Sequence, residues 1–178
     1  MQDNLERQLV DAAAAGDIES FGELCRRYYG PMVAIAYSVL SDHQLAEDAA
    51  QESFARAIVS VRKLKNRTRF TPWLAAICRN VAKDMVAIKA RRVKAADLSR
   101  AASDSSHNEN GVLIRRAIEQ LPGPARELIV LRYYNNLSYE EIGSVLEISK
   151  ASINGRLTRA KRKMADYLKR NGFPENRS

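Results

Sequence analysis

Leu137-Ser138-Tyr139-Glu140-Glu141-Ile142-Gly143-Ser144-Val145-Leu146-Glu147-Ile148-Ser149-Lys150-Ala151-Ser152-Ile153-Asn154-Gly155-Arg156-Leu157 is the stretch on which the fold turns. Ser138 with Glu141 three residues on makes a capping box, each side chain accepting from an orphan backbone N–H at a helix start. Ile142 and Leu146 face a core, and Gly143 is small where two helices must approach closely. Glu147-Ile148-Ser149 leaves a turn of only three residues. Ser149 then caps a second helix whose inner face is Ile153 and Leu157. Two helices joined by so short a turn form a helix-turn-helix, which lays its second helix in the major groove of DNA. The outward side of that helix offers Lys150, Ser152, Asn154, Arg156, Arg159 and Arg162, side chains that read base edges or hold phosphates. Lys161 and Lys163 extend it. Gly155 is the discordant residue, because glycine inside a helix costs about 1 kcal/mol relative to alanine. It permits close approach to the DNA backbone or is simply tolerated.

Outward from this motif, charge is distributed in blocks. Residues 150–178 hold nine bases and two acids, and residues 62–96 hold eleven bases and a single acid, Asp84. Each block follows a more acidic one: ten acids and four bases in residues 1–61, eight acids and five bases in residues 97–149. The net charge of +8 is therefore concentrated in two places, a pattern that suggests two contacts with phosphate.

The helical period of 3.6 dominates, and no stretch alternates as a strand. Leu5, Leu9, Val10 and Ala13 form a first stripe, closed by Gly16-Asp17. Phe21, Leu24, Cys25 and Tyr28 form a second, interrupted or kinked by Gly30-Pro31 and continued by Ile35, Val39 and Leu40. Ser41-Asp42 marks a turn. Leu45, Ala49, Phe54, Ala57, Ile58 and Val61 suit a helix of four to five turns. A basic loop from Arg62 to Phe70 follows. Thr71 is then the expected N-cap and Pro72 the first helical residue of a helix carrying Trp73, Leu74, Ile77, Cys78, Val81 and Met85. Residues 96–111 are polar, serine-rich and aperiodic, and read as a linker. Ile114, Ala117, Ile118 and Leu121 open a second domain, with a stop at Pro122-Gly123-Pro124 and a further helix through Leu128, Ile129 and Leu131. The expectation is an all-α chain: a helical domain over 1–95, a flexible linker over 96–111, and a helix-turn-helix domain over 112–178.

These motifs resemble the bacterial sigma factors of the extracytoplasmic-function group, and the resemblance covers nearly the whole chain. Ala46-Glu47-Asp48-Ala49-Ala50-Gln51-Glu52-Ser53-Phe54 resembles the family's polymerase-binding helix. Phe70-Thr71-Pro72-Trp73-Leu74 and Cys78-Arg79-Asn80-Val81-Ala82-Lys83-Asp84 resemble its promoter-melting segment. Leu121-Pro122, Leu131-Arg132-Tyr133, Leu137 to Ile142 and Arg156-Leu157-Thr158-Arg159-Ala160-Lys161 resemble the segment that binds the upstream promoter element.

The resemblance implies the following roles. Asp48, Gln51, Glu52 and Phe54 lie against the clamp helices of core RNA polymerase, acids and one aromatic meeting a basic helical partner. Lys63, Lys65, Asn66, Arg67 and Arg69, with Asn80 and Lys83, engage the non-template strand of the −10 element. Strand capture needs a pocket for an unstacked base and positive charge; Trp73 is either the stacking platform or, as its rhythm with Ile77 and Cys78 favours, part of the core. Lys89, Arg91, Arg92 and Lys94 touch duplex phosphates. Lys150 to Arg162 bind the −35 element of promoter DNA. An anti-sigma factor is the implied regulatory partner. The sequence departs from the family pattern at Glu147, where glycine is common, which suggests that the turn's backbone differs from the usual left-handed conformation. Asn154 and Gly155 also depart, which bears on the −35 sequence that is read.

Other classes find less support. No apolar run reaches the roughly 20 residues that span a bilayer, and the N-terminus lacks a signal peptide, so the cytoplasm is the expected location and no membrane insertion is foreseen. Cys25 and Cys78 lie on apolar stripes without metal-ligand spacing. No nucleophile–base set, paired metal carboxylates or phosphate loop is present, so neither a small-molecule substrate nor a cofactor is expected and the chain does not read as an enzyme. The competing reading is a conventional helix-turn-helix repressor or activator that binds duplex DNA on its own. The acidic Asp48–Phe54 helix followed by the basic loop has no job in such a protein.

Overall fold

A computed structural model of the chain describes residues 2–93 and 109–173. It divides into two units, Met1–Arg100 and Ala101–Ser178, and contains only helices and turns among the described residues.

The first unit has four helices: α1 (Gln2–Ala15), α2 (Ile18–Leu40), α3 (His43–Ser60) and α4 (Phe70–Val93). Gly16, at φ 108, turns the chain sharply after α1. Asp17 then caps α2, accepting from the N–H of Glu19 at 3.0 Å. Ser41 in the left-handed conformation ends α2, and Asp42 caps α3. Helices α2, α3 and α4 pack on one another, with α1 against α2. Their core joins Leu24, Met32 and Ile35 to Phe54, Phe70, Leu74, Cys78 and Val81. The inner face of α3 is mostly Ala46, Ala49, Ala50 and Ala57, all fully buried, so this helix approaches its neighbours closely.

Two local expectations are corrected here. Gly30-Pro31 does not interrupt α2, which runs continuously through Pro31. Proline in a helix interior costs about 3 kcal/mol. Met32, Ile35 and Ala36 just beyond it are completely buried, and burying each large apolar side chain returns about 1.5–3 kcal/mol, so packing outweighs the break. Nor is Thr71 the N-cap of α4, which begins one residue earlier, at the fully buried Phe70. The chain enters it directly from a 3₁₀ turn, Arg67–Arg69, capped by the Asn66 side chain. The Thr71 hydroxyl is used elsewhere, 2.7 Å from the Tyr28 hydroxyl and donating to Glu6 Oε1 at 3.3 Å.

The second unit comprises α5 (Glu109–Glu119), α6 (Gly123–Ile129), a π-helical turn (Val130–Tyr134), α7 (Tyr139–Leu146) and α8 (Lys150–Arg170). Ala117, Leu128, Leu131, Ile142, Ile153 and Leu157 form its core. Helix α8 packs against α5, α6 and α7. Glu109 to Gly111, read from the sequence as the end of the linker, belong to α5. The rest of that stretch from 96 to 108, with Lys94 and the side chains of Arg91 and Arg92, lies outside the described residues.

Candidate nucleic-acid and partner interfaces

The helix-turn-helix is built from backbone groups that its own side chains satisfy. Glu141 Oε2 accepts from the Ser138 N–H at 2.8 Å, and Ser138 Oγ accepts from the Glu141 N–H at 3.2 Å, completing the capping box. Glu147 takes the left-handed conformation, φ 58 and ψ 42, which corrects the expectation that a non-glycine here would alter the turn. The reason is hydrogen bonding: the N–H groups of Glu147 and Ile148 both close on the carbonyl of Gly143. A Cβ on Gly143 would stand 3.0 Å from the Ile148 carbonyl oxygen, so any side chain would crowd the backbone where the turn folds back. Ser149 caps α8, accepting from the Ser152 N–H at 3.2 Å. Before the motif, the Arg132 guanidinium donates to the Leu137 carbonyl at 2.8 Å and lies 5.4 Å from the Tyr139 ring centre, pinning the loop that leads into α7.

Buried Ile153, Leu157 and Ala160 anchor α8. The helical period of 100° per residue then distributes its other residues. Ala151, Gly155 and Arg162 lie opposite the buried line. Arg156 and Arg159, both exposed, form one flank with half-buried Ser152. Lys150 and Asn154, also exposed, form the other. The structure thus does not gather the six candidate residues on one line; it sets them on both sides of a ridge of small residues and Arg162. Lys150 Nζ lies 3.8 Å from Glu140 on α7. Arg156 and Arg159, with Lys163, line a groove floored by Leu121, Pro122, Pro124 and Ala125. No atom stands within 4 Å of a Cβ built on Gly155.

In the first unit, Asp48, Gln51 and Glu52 are exposed on α3 as expected. Phe54 is not: it is 8 % exposed and belongs to the core, because the face set by Ala46, Ala50 and Ala57 turns it inward. The large apolar residues this helix does expose are Ile58 (43 %), a member of the stripe read from the sequence, and Val59 (78 %). Arg56 bonds Glu52 at 2.7 Å and stands 3.7 Å from Asp84, so the lone acid of the basic block ties α4 to α3.

The basic loop of residues 61–69 is two 3₁₀ turns, Val61–Lys63 and Arg67–Arg69. Lys63 and Lys65 are exposed, and Arg69 is half-buried. Asn66 uses its carbonyl oxygen on the N–H and hydroxyl of Thr68. Arg67 is turned inward: it donates to the carbonyls of Val61 (2.7 Å) and Leu64 and faces Asp11 of α1 at 3.4 Å. Asn80 and Lys83 are exposed on the side of α4 that carries Trp73, which is half-buried and 5.7 Å from the Phe70 ring. Lys89, exposed, is 3.8 Å from Asp42. Burial pushes the pKa of the Cys78 thiol up to about 11 and also raises Cys25; Cys78 Sγ donates to the Met32 carbonyl at 3.3 Å. Among the described residues, no group of three or more acid, His and Cys side chains could hold a metal, and no helix is long and apolar enough to cross a membrane.

The sequence reading missed Val59, whose exposure follows from the spacing of the buried alanines, and the tyrosine pair Tyr133 and Tyr134, 54 % and 62 % exposed. The π-helical turn rotates both tyrosines out of register, and no periodicity of the sequence announces it.

Comparison with known proteins places both units. Residues 24–92 match "Sigma-70 region 2" and residues 111–164 match "Sigma-70, region 4". The RNA polymerase sigma-H factor of Pseudomonas aeruginosa is 27% identical over 173 residues, spanning 88% of this chain and 90% of that protein. The ECF RNA polymerase sigma factor SigW of Bacillus subtilis is 28% identical over 180 residues, spanning 92% and 96%. SigE of Mycolicibacterium smegmatis is 32% identical over 168 residues, spanning 87% of this chain and 65% of that protein. Among solved structures, the sigma factor RpoE of Bartonella quintana, crystallised with the anti-sigma factor NepR, superposes with a TM-score of 0.70 at 22% identity over 85% of this chain and 98% of that one. CnrH, solved with the cytosolic domain of CnrY, gives 0.67 at 23% identity over 94% and 99%. At these identities the two structures speak for the fold alone. With region 2 on the first unit, region 4 on the second and full-length relatives aligned across both, the chain belongs to the sigma-70 family of RNA polymerase sigma factors, in its extracytoplasmic-function group.

Proposed function

We propose that this sigma factor directs core RNA polymerase to promoters through three separate surfaces. The observation that carries this reading is the doubly capped helix-turn-helix, whose second helix presents two basic flanks around a small-residue ridge. That shape suits a helix lying in the major groove of the −35 element, with Ala151 and Gly155 deepest. Arg156 and Arg159 hold one groove wall, and Lys150 and Asn154 reach the other. On the first unit, Lys63, Lys65, Asn80 and Lys83 receive the unpaired −10 strand, with the open edge of Trp73 available to a base. The polymerase face is the stripe Asp48, Gln51, Glu52, Ala55 and Val59, spaced to share one side of α3. Val59 then supplies the apolar contact expected of Phe54. Because the solved neighbours carry partner proteins described as an anti-sigma factor and a cytosolic domain, a protein inhibitor covering these surfaces is the natural means of control.

Run-off transcription with purified core enzyme and promoters from the source genome tests the reading. Transcripts that start at defined sites only when this chain is added are expected. The free chain should bind promoter duplex poorly. High-affinity duplex binding by the chain alone, with no association with core, would favour the autonomous regulator instead.

A further inference from the structure

The loop proposed to capture the −10 strand is held only in part by the short-range bonds of its own turns. Its two 3₁₀ turns are three residues each, and such turns are poorly self-stabilised. Beyond the Asn66 cap on the second turn, Arg67 and the N-terminal helix brace them. One guanidinium nitrogen of Arg67 bridges the carbonyls of Val61 and Leu64, while Nε faces Asp11 of α1 at 3.4 Å. The Arg67 side chain is 24% exposed. Arg62, at the other end of the loop, also rests on α1: its Nη2 lies 2.9 Å from where a Cβ would stand on Gly16, whose φ of +108 already favours glycine. Both 3₁₀ turns pack on α1.

We infer that Arg67 and Asp11 are positioning residues through which α1 sets the shape of the strand-capturing loop. The inference rests on the role proposed above for that loop. A planar guanidinium reaches the two carbonyls from one nitrogen and the carboxylate from another, whereas an ammonium must make every bond from a single nitrogen at the end of a flexible stem. The arginine is therefore required for its geometry and not for its charge. Lys63 and Lys65, held outward by the same arrangement, carry the electrostatic contact.

The experiment measures binding of the reconstituted holoenzyme to a fluorescein-labelled single-stranded −10 oligonucleotide at several salt concentrations, with core affinity and melting temperature as controls. Arg67→Lys keeps the charge and is expected to weaken binding about fivefold, as Arg67→Ala does, through loss of the paired bonds to the loop carbonyls. The salt slope of both variants should match the wild type. Asp11→Lys adds a positive charge near the strand yet is expected to weaken binding about threefold, because it repels Arg67 from its seat. Core affinity should stay unchanged in all three. Wild-type binding by Arg67→Lys, or a salt slope lowered by about 0.7 in Arg67→Ala, would mark Arg67 as a direct phosphate contact and overturn the inference. Tighter binding by Asp11→Lys would also overturn it. A wild-type holoenzyme that ignores the strand altogether would instead overturn the loop's proposed role.

Discussion

Gly143 and Gly155, twelve residues apart in the same motif, show how differently one residue type is used. A side chain at Gly143 would press on the Ile148 carbonyl at 3.0 Å, while one at Gly155 meets nothing within 4 Å. Gly143→Ala is expected to lower stability by about 1–2 kcal/mol, since a packed backbone must shift. Gly155→Ala should raise stability by about 1 kcal/mol, through helix propensity alone. Thermal or urea unfolding of the two variants checks both signs. If the proposed groove placement holds, Gly155→Ala should also weaken −35 binding despite its greater stability, because the added methyl lies on the ridge facing the bases. Unchanged affinity would mean that the glycine is merely tolerated. Sequence alone named both glycines but left the role of Gly155 open, since whether a methyl has room depends on atoms that are remote along the chain.

At the scale of the element, helix ends and turns carry the specificity of the motif. Ser138 and Ser149 start α7 and α8, and each accepts from the backbone N–H three residues on. Ser149→Ala is expected to cost about 1 kcal/mol. Its effect on promoter binding should exceed its effect on global unfolding, because it frays the turn leading into the helix proposed to enter the groove. Between the two helices, Glu147 sits at φ 58, where a Cβ is strained. Glu147→Gly should relieve about 1 kcal/mol and raise the unfolding midpoint. A lowered midpoint would show that the Glu147 side chain contributes more than its backbone strain costs. The caps and the three-residue turn were legible because they depend on residues within four positions of each other. Thr71 misled for the complementary reason. Its local signature is that of a cap, but buried Phe70 draws the helix start forward, and Tyr28 and Glu6, distant in sequence, claim the hydroxyl.

For the whole molecule, the proposed surfaces lie on different elements, so their functions should be separable. Asp48→Lys combined with Glu52→Lys reverses the charge of exposed side chains on α3, leaving the core untouched. Core association is expected to fall at least about tenfold while the melting temperature stays nearly constant. Arg159→Ala should do the reverse, sparing core association and costing about 1–3 kcal/mol of promoter affinity if the residue reads a base. Pull-down on core enzyme and promoter binding by the reconstituted holoenzyme distinguish the two. Loss of core binding by Arg159→Ala would mean the surfaces are wrongly assigned.

By itself, the sequence determined the helical class, the charge blocks, the helix-turn-helix and its caps, and the segments that carry the family resemblance. Each depends on short-range periodicity or on neighbouring residues. Tertiary structure decided which candidates face outward. Phe54 and Arg67 match the sequence pattern for surface contacts yet point inward, one into the alanine-lined core and the other onto loop carbonyls and α1. Pro31 lies within a helix because the residues beyond it are buried against distant partners. Val59 is exposed because the alanines beside it are not. In each case the deciding contact joins residues far apart along the chain, and its energy appears only once the helices have packed.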